Sequence, residues 1–382
     1  MGSVSSSNPS SNKLNKKSKR EGFLSKRRAT HSGSWYTSDP KELNYILENY
    51  ITDAKQSMDK NSSSSFSNSY TVDSKELQNG IPSISSSSTR KNKEFNKPLE
   101  SDEAIPKAIV APHAGYNYSG ETSGYAYAAL REAFLQKKVD QIIVLFPSHQ
   151  YRLDGCAISE VDYLCTPLGD LTVDTITREI LLKTGYFGTM DRKVDEREHS
   201  GEMQYPFIYQ ALSTANNNSQ HFSGESHPSP QEIPITPIMV GSLSPSQAEK
   251  CGQILAPILA KPNVFTIITT DFCHWGSRFQ YSPYDSTKAK HIFQYIQWLD
   301  NIGMDQICTQ DPKAFSKYLT QTRNTICGRY PITLWLNSVK ANRDNGVQKL
   351  DVEFLRYAQS SHIRYENESS VSYASGVARL SS

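Results

Sequence analysis

A chain of 382 residues can hold one large or two ordinary domains, but 37% hydrophobic residues is low for a chain folded throughout, so a folded core with polar additions is expected. No run approaches the roughly 18 apolar residues of a membrane span, and the N-terminus lacks the apolar middle of a secretory signal, which predicts an intracellular, cytoplasmic protein. The net charge of +2 is uneven: residues 1–28 carry eight Lys or Arg against Glu21, which leaves the remainder near −5 and argues against a broad nucleic-acid surface.

In chain order, the first 28 residues are Ser, Asn and Lys rich and are read as a disordered basic tail. Polar insertions in surface loops follow at about 57–100 and 214–232. Between them, apolar runs alternate with amphipathic stretches in the manner of an α/β domain. Strands are predicted at Lys107–Pro112, Gln141–Phe146, Cys156–Ser159, Ile235–Val240, Val264–Thr269, Val352–Tyr357 and Val371–Val377. Helices are predicted at Thr122–Gln136, Ile176–Thr184, Glu202–Leu212, Pro245–Ala260, Thr287–Ile302, Pro312–Thr320 and Tyr330–Ala341. The sharpest start is at Ser244, which can cap a helix with Pro245 in its first position and Gln247 completing a capping box.

Three apolar strands end on polar side chains: KAIVAPH in His113, QIIVLFPSH in His149, and VFTIITTDFCHW in Asp271, Cys273 and His274. Ligands of open α/β sheets bind beyond the carboxyl ends of the strands, so these groups can converge. Each has a plainer reading: a strand-end histidine held by one hydrogen bond, Cys273 as a small buried hydrophobe, Asp271 as a turn cap. Repetition of the pattern strengthens the functional reading without settling strand order. TICGRYP places Cys327 and Arg329 ahead of a helix, an electropositive setting that favours a thiolate, although packing under a turn explains the cysteine equally well. In DEREHSGEMQYPF, His199 is read as a supporting or structural residue beside Glu198, Glu202 and Gln204. Six dispersed cysteines without CxxC pairs predict reduced thiols rather than a disulfide framework or zinc knuckle.

HSGSWY (31–36), APHAGYNYSG (111–120), FPSHQ (146–150), EHSGEMQYPF (198–207), TTDFCHWGSRFQYSPYD (269–285), NTICGRYPI (324–332) and SVSYASGV (370–377), taken in order, resemble the Memo family, mediators of receptor-driven cell motility. The resemblance implies one α/β domain over 29–382, with a central mixed sheet and helices on both faces as in class III extradiol dioxygenases. It implies metal-site positions at His113, His149 and Cys327, His274 as the acid/base with Asp271 beside it, and His199, Cys273 and Arg329 in supporting roles. Gly115 and Gly120 would let the backbone turn close to the site. Two positions depart from the family pattern, Gln204 and Tyr330, where histidine is expected.

With a thiol in place of the usual carboxylate, the donors shift preference toward Cu(I) or Zn and still permit Fe(II), without by themselves implying oxygenase chemistry; copper or iron is the expected ion. The leading expectation is an intracellular metal-binding protein with a redox or signalling role in motility, polarity or growth. The alternative is an adaptor binding phosphorylated or acidic peptides in the same site; ring-cleaving dioxygenase activity is a third, less favoured reading. MGSVSS fits the myristoylation pattern at Gly2, and KKSKREGFLSKRR supplies a basic second signal, so peripheral membrane contact is an expectation alongside nuclear import through the same basic clusters.

Overall fold

The computed structural model describes residues 24–63, 104–213 and 227–381. Gly2 and most of the basic tail lie outside them, as do most of the two polar insertions.

The chain enters through a two-residue strand, β1 (Lys26–Arg27), and a long helix, α1 (Pro40–Ser63). Then come β2 (Pro106–Ala111), α2 (Tyr116–Leu135), β3 (Gln141–Pro147), β4 (Cys156–Ser159), β5 (Tyr163–Thr166) and β6 (Gly169–Thr172). Helix α3 (Thr175–Lys183) and β7 (Phe187–Met190) precede three short helices, α4 (Arg192–Arg197), α5 (His199–Glu202) and α6 (Tyr205–Ser213). β8 (Ile235–Val240), α7 (Pro245–Leu259), β9 (Val264–Thr269) and β10 (His274–Trp275) follow. The C-terminal part holds α8 (Ile292–Cys308), α9 (Pro312–Thr322), α10 (Arg329–Asp344), β11 (Leu350–Gln359) and β12 (Ser370–Leu380).

A nine-stranded mixed sheet runs β10-β12-β2-β9-β3-β8-β4-β7, with β11 paired to β12. β2, β9, β3 and β8 are mutually parallel, whereas β12 and β4 flank them antiparallel. These central strands are buried at nearly every position, as expected where helices cover both faces. Alternate residues feed two cores. Ile109, Ile142, Val144, Phe146 and Ile267 pack toward α1, α2 and α6. Val110, Ile143, Leu145 and Ile268 pack toward α7, α8 and α10. A single α/β domain with helices on both faces is therefore what the sequence led one to expect.

Several boundaries move. Arg27, assigned to the disordered tail, is completely buried in β1. Residues 57–63, assigned to an insertion, complete α1, whose Leu43, Leu47, Ile51 and Ala54 form one buried stripe. That helix was not predicted, although its apolar residues follow the 3.6-residue period and Asp39 caps it through the amides of Lys41 and Glu42. Residues 227–232, given to the second insertion, are ordered around a 3-10 turn with a Ser229–Glu232 capping box. The helix expected from Thr287 begins at Ile292 because Asp285 ties the Thr287 amide and hydroxyl into a turn. The Ser244–Gln247 capping box forms as expected.

Gly120 does not shape the site. A Cβ there would lie 2.3 Å from the Tyr50 ring, and one at Gly124 2.2 Å from the Tyr50 carbonyl oxygen, so both glycines let α1 pack closely on α2.

Candidate metal centre

Strand order supplies what sequence spacing lacks. β9 lies between β2 and β3, with Ala111 paired to Thr269 and Leu145 to Ile268. The three chains therefore leave the sheet side by side, and His113, His149 and Asp271 follow within two residues of the strand ends.

The imidazoles of His113 and His149 meet edge to face with centroids 5.2 Å apart. His199, at the start of α5, lies 5.5 Å from His113 and stacks on His149 at 4.7 Å. One ring nitrogen from each of the three falls within 4.8 Å of the others. Their far sides are anchored. Glu198 accepts from the backbone amide of His149 at 2.6 Å and from its Nδ1 at 2.8 Å, and its Oε1 stands 3.4 Å from His199 Nδ1. His113 Nδ1 is 2.9 Å from Thr269 Oγ1, which also accepts from the Gln204 amide. Holding a ring through Nδ1 turns Nε2 toward the centre, the usual arrangement around histidine ligands.

Electrostatics separate the three rings. Burial and the neighbouring histidines push His113 well below the ordinary histidine range, and burial takes His199 down to about 4, so both are neutral at pH 7. Burial disfavours the His149 cation too, but hydrogen bonds to Cys327 and Glu198 outweigh it and lift this residue to about 10. Burial alone would raise Glu198, yet the bond and charge of His149 hold it at about 2.

Cys327 closes the opposite side, its Sγ 3.0 Å from His113 Nε2. The loop before α10 is pressed against the end of β9: the Asp271 amide donates to Sγ at 3.1 Å, and the Cys327 amide to the Asp271 carbonyl at 3.3 Å. Gly328 permits this approach, since a Cβ there would stand 2.4 Å from the Thr270 side chain. The Asp271 carboxylate accepts from the amides of His113 and Ala114, so it holds the turn after β2, and burial raises it to about 7. His274 donates Nδ1–H to the Phe272 carbonyl at 2.9 Å, which leaves Nε2 as its basic nitrogen, and it is close enough to depress His113 electrostatically.

The remaining expected residues are placed less centrally, except one. Cys273 is fully buried in the second core, with its amide on Asp300. Arg329 is exposed in the first turn of α10 and makes no ion pair among the described residues. His199, by contrast, expected in a supporting role, stands inside the histidine group.

A second wall comes from HSGSWY. Trp35 lies over His199 with centroids 4.3 Å apart, and His31 sits edge-on to Trp35 at 6.0 Å. Glu202 fixes this wall by accepting from His31 Nδ1 at 2.8 Å, the His31 amide at 2.8 Å, Tyr36 at 2.9 Å and Arg27 at 2.6 Å. Arg27 donates further to the Asp195 carboxylate and to the carbonyls of Arg28, Asp195 and Glu198, which satisfies all five guanidinium N–H groups. Sequence reasoning did not assign His31, Trp35, Glu198 or Arg27 to the site. HSGSWY and EHSGE each joined histidine to aromatic or acidic residues, a usable signal for the first three. Nothing local marks Arg27 among eight basic residues of the first 28. Gln204, where histidine was expected, is completely buried and links Tyr127, Pro112, Ser200 and Thr269 behind His113 rather than facing outward.

Such a cluster of imidazoles and one thiol at the carboxyl edge of a parallel sheet defines an α/β protein with a candidate metal centre. The family profile described as Memo-like protein matches residues 62–377. The human protein MEMO1 is 35% identical over 351 residues, covering 92% of this chain and 96% of its own length. The zebrafish (Danio rerio) MEMO1 is 36% identical with the same coverage, and the Caenorhabditis elegans memo-1 homolog is 35% identical, covering 92% of this chain and 82% of its own. An uncharacterized Escherichia coli K12 protein of known structure, JW3007, is 10% identical with a TM-score of 0.40 over 70% of this chain and 98% of its own, a likeness too loose to bear on function. The chain belongs to the Memo family.

Proposed function

We propose that this Memo-family chain is a metal-binding protein with a redox or signalling role, in which His113, His149 and Cys327 hold copper or iron. The observation that carries the reading is the convergence of two anchored imidazoles on one thiol, with Sγ 3.0 Å from His113 Nε2. Nitrogen and sulfur donors of this kind suit soft and borderline ions, so the residues present fit the group. A bound ion would supply one-electron or Lewis-acid chemistry.

The chain's own residues do the rest. His149 has to release a proton before it can act as a donor, because its ring is cationic at neutral pH. Glu198 keeps that ring aligned throughout. His274 offers Nε2 as the proton-handling group near the centre, with Nδ1 fixed by a carbonyl. Trp35 screens the far side of His199 from water. The test is oxygen consumption and metal content measured together on wild type and Cys327→Ser with a reductant present. Metal-dependent consumption lost with the thiol supports a redox role. Metal held by wild type and lost in Cys327→Ser, with no consumption in either protein, leaves signalling as the role.

One feature favours the adaptor reading as a second choice: Arg329, exposed and without an ion pair among the described residues, stands at the N-terminal end of α10 two residues from Cys327. A phosphorylated or acidic peptide would pair with it. Titration of a phosphotyrosine peptide with and without metal decides, since equal binding to the metal-free protein and loss in Arg329→Ala would favour the adaptor. Membrane attachment through Gly2 is proposed only as an accessory, and an intact mass showing unmodified Gly2 in the native host would remove it.

A further inference from the structure

We infer that His199 is a metal donor in its own right, so that His113 and His149 are shared by two overlapping donor triads, one closed by Cys327 and the other by His199. This rests on the metal reading above and adds to it a residue and a selectivity.

Three observations carry the inference. One ring nitrogen from each of His113, His149 and His199 lies within 4.8 Å of the others, as the donors of a single ion must. Glu198 hydrogen-bonds His149 Nδ1 at 2.8 Å and its Oε1 stands 3.4 Å from His199 Nδ1, so one carboxylate flanks both rings on the side away from the centre. Trp35 at 4.3 Å on one side and His149 at 4.7 Å on the other clamp His199 in that orientation.

The two triads differ in chemistry. The triad containing the sulfur favours monovalent copper, whereas three imidazoles suit borderline divalent ions. Glu198 and the two shared histidines serve both, so the identity of the ion selects which third residue binds. Cys327 and His199 are thereby assigned as selectivity determinants at one centre rather than as ligand and support.

Anaerobic titrations of the full-length protein with Co(II) and with Cu(I), followed by absorption and by competition with a chelator, test this. The wild-type Co(II) spectrum is expected to lack the near-ultraviolet band of a cobalt–thiolate bond. His199→Ala and His199→Gln should each weaken Co(II) binding by at least ~10-fold and leave Cu(I) within ~3-fold, and Cys327→Ser should do the reverse. Circular dichroism checks the fold of each variant, and the wild-type spectrum alone is decisive should a variant misfold. A strong thiolate band in wild type, or unchanged Co(II) affinity in both His199 variants, overturns the role of His199 while leaving the metal reading intact. A wild type that binds neither ion overturns both.

Discussion

Glu198 is a single buried carboxylate on which the geometry of two histidines depends, and its replacement isolates that dependence. Glu198→Gln keeps the shape but removes the charge that holds His149 protonated and aligned. Metal affinity should fall by about 10–100-fold; a chelator-competition titration showing less than a ~3-fold change would count against the arrangement. Arg27 acts at one remove. With its five donors gone, Arg27→Met leaves Asp195 and Glu202 buried without their cation, a loss of about 3–5 kcal/mol that urea unfolding can measure. A loss under ~1 kcal/mol would mean that water reaches these carboxylates. At this scale the convergence of His113 and His149 was legible because each follows an apolar run, whereas Cys327 was set beside them by the family resemblance and not by any local pattern. Arg27 was not, because its meaning depends on acids about 170 positions away that no local pattern connects to it.

Elements were legible where periodicity and capping agreed. Strands β4, β8 and β9 and the start of α7 fall where apolar runs and the Ser244–Gln247 box put them. Helix α1 was hidden by the polar residues that follow it, and the helix expected from Glu202 instead begins at Tyr205, because His199–Glu202 forms its own short turn of helix ahead of it. The close contact of α1 with α2 depends on two glycines that local reading assigned to no such purpose. Gly124→Ala would push a methyl group against the Tyr50 carbonyl oxygen, so a destabilisation of about 1–3 kcal/mol is expected from overpacking, read as a lowered urea midpoint with unchanged slope. An unaltered midpoint would show that the helix pair slides freely.

For the molecule as a whole, the sheet order was the part sequence could not give: parallel strands of similar composition can be arranged in many orders, and only β2-β9-β3 adjacency brings the three strand ends together. The same assembly predicts how stability follows pH. Glu198 and Glu202, both held at about 2 against an ordinary 4.5, contribute fully above about pH 4.5 and lose that contribution as pH falls toward 2. His199, lowered by burial from 6.5 to about 4, removes stability as pH falls through that interval. His149, raised from 6.5 to about 10, contributes fully below 6.5 and loses it as pH rises to 10. Asp271 and Asp300, raised by burial from 3.8 to about 7 and about 6, together outweigh His199 and add stability as pH falls from about 7 toward 4. Stability of the metal-free protein, followed by urea unfolding across pH, should therefore be greatest at about pH 4.5, fall below that as the two glutamates protonate, and decline toward pH 10; a flat alkaline limb would mean that His149 is not held as a cation.

The most direct test is the metal content of the full-length protein purified from its native host under reducing conditions. The account predicts copper or iron near one ion per chain in wild type, either ion sharply reduced in His113→Ala, copper sharply reduced in Cys327→Ala, and both retained in His274→Ala. Equal copper and iron content in wild type and the two donor variants would contradict it.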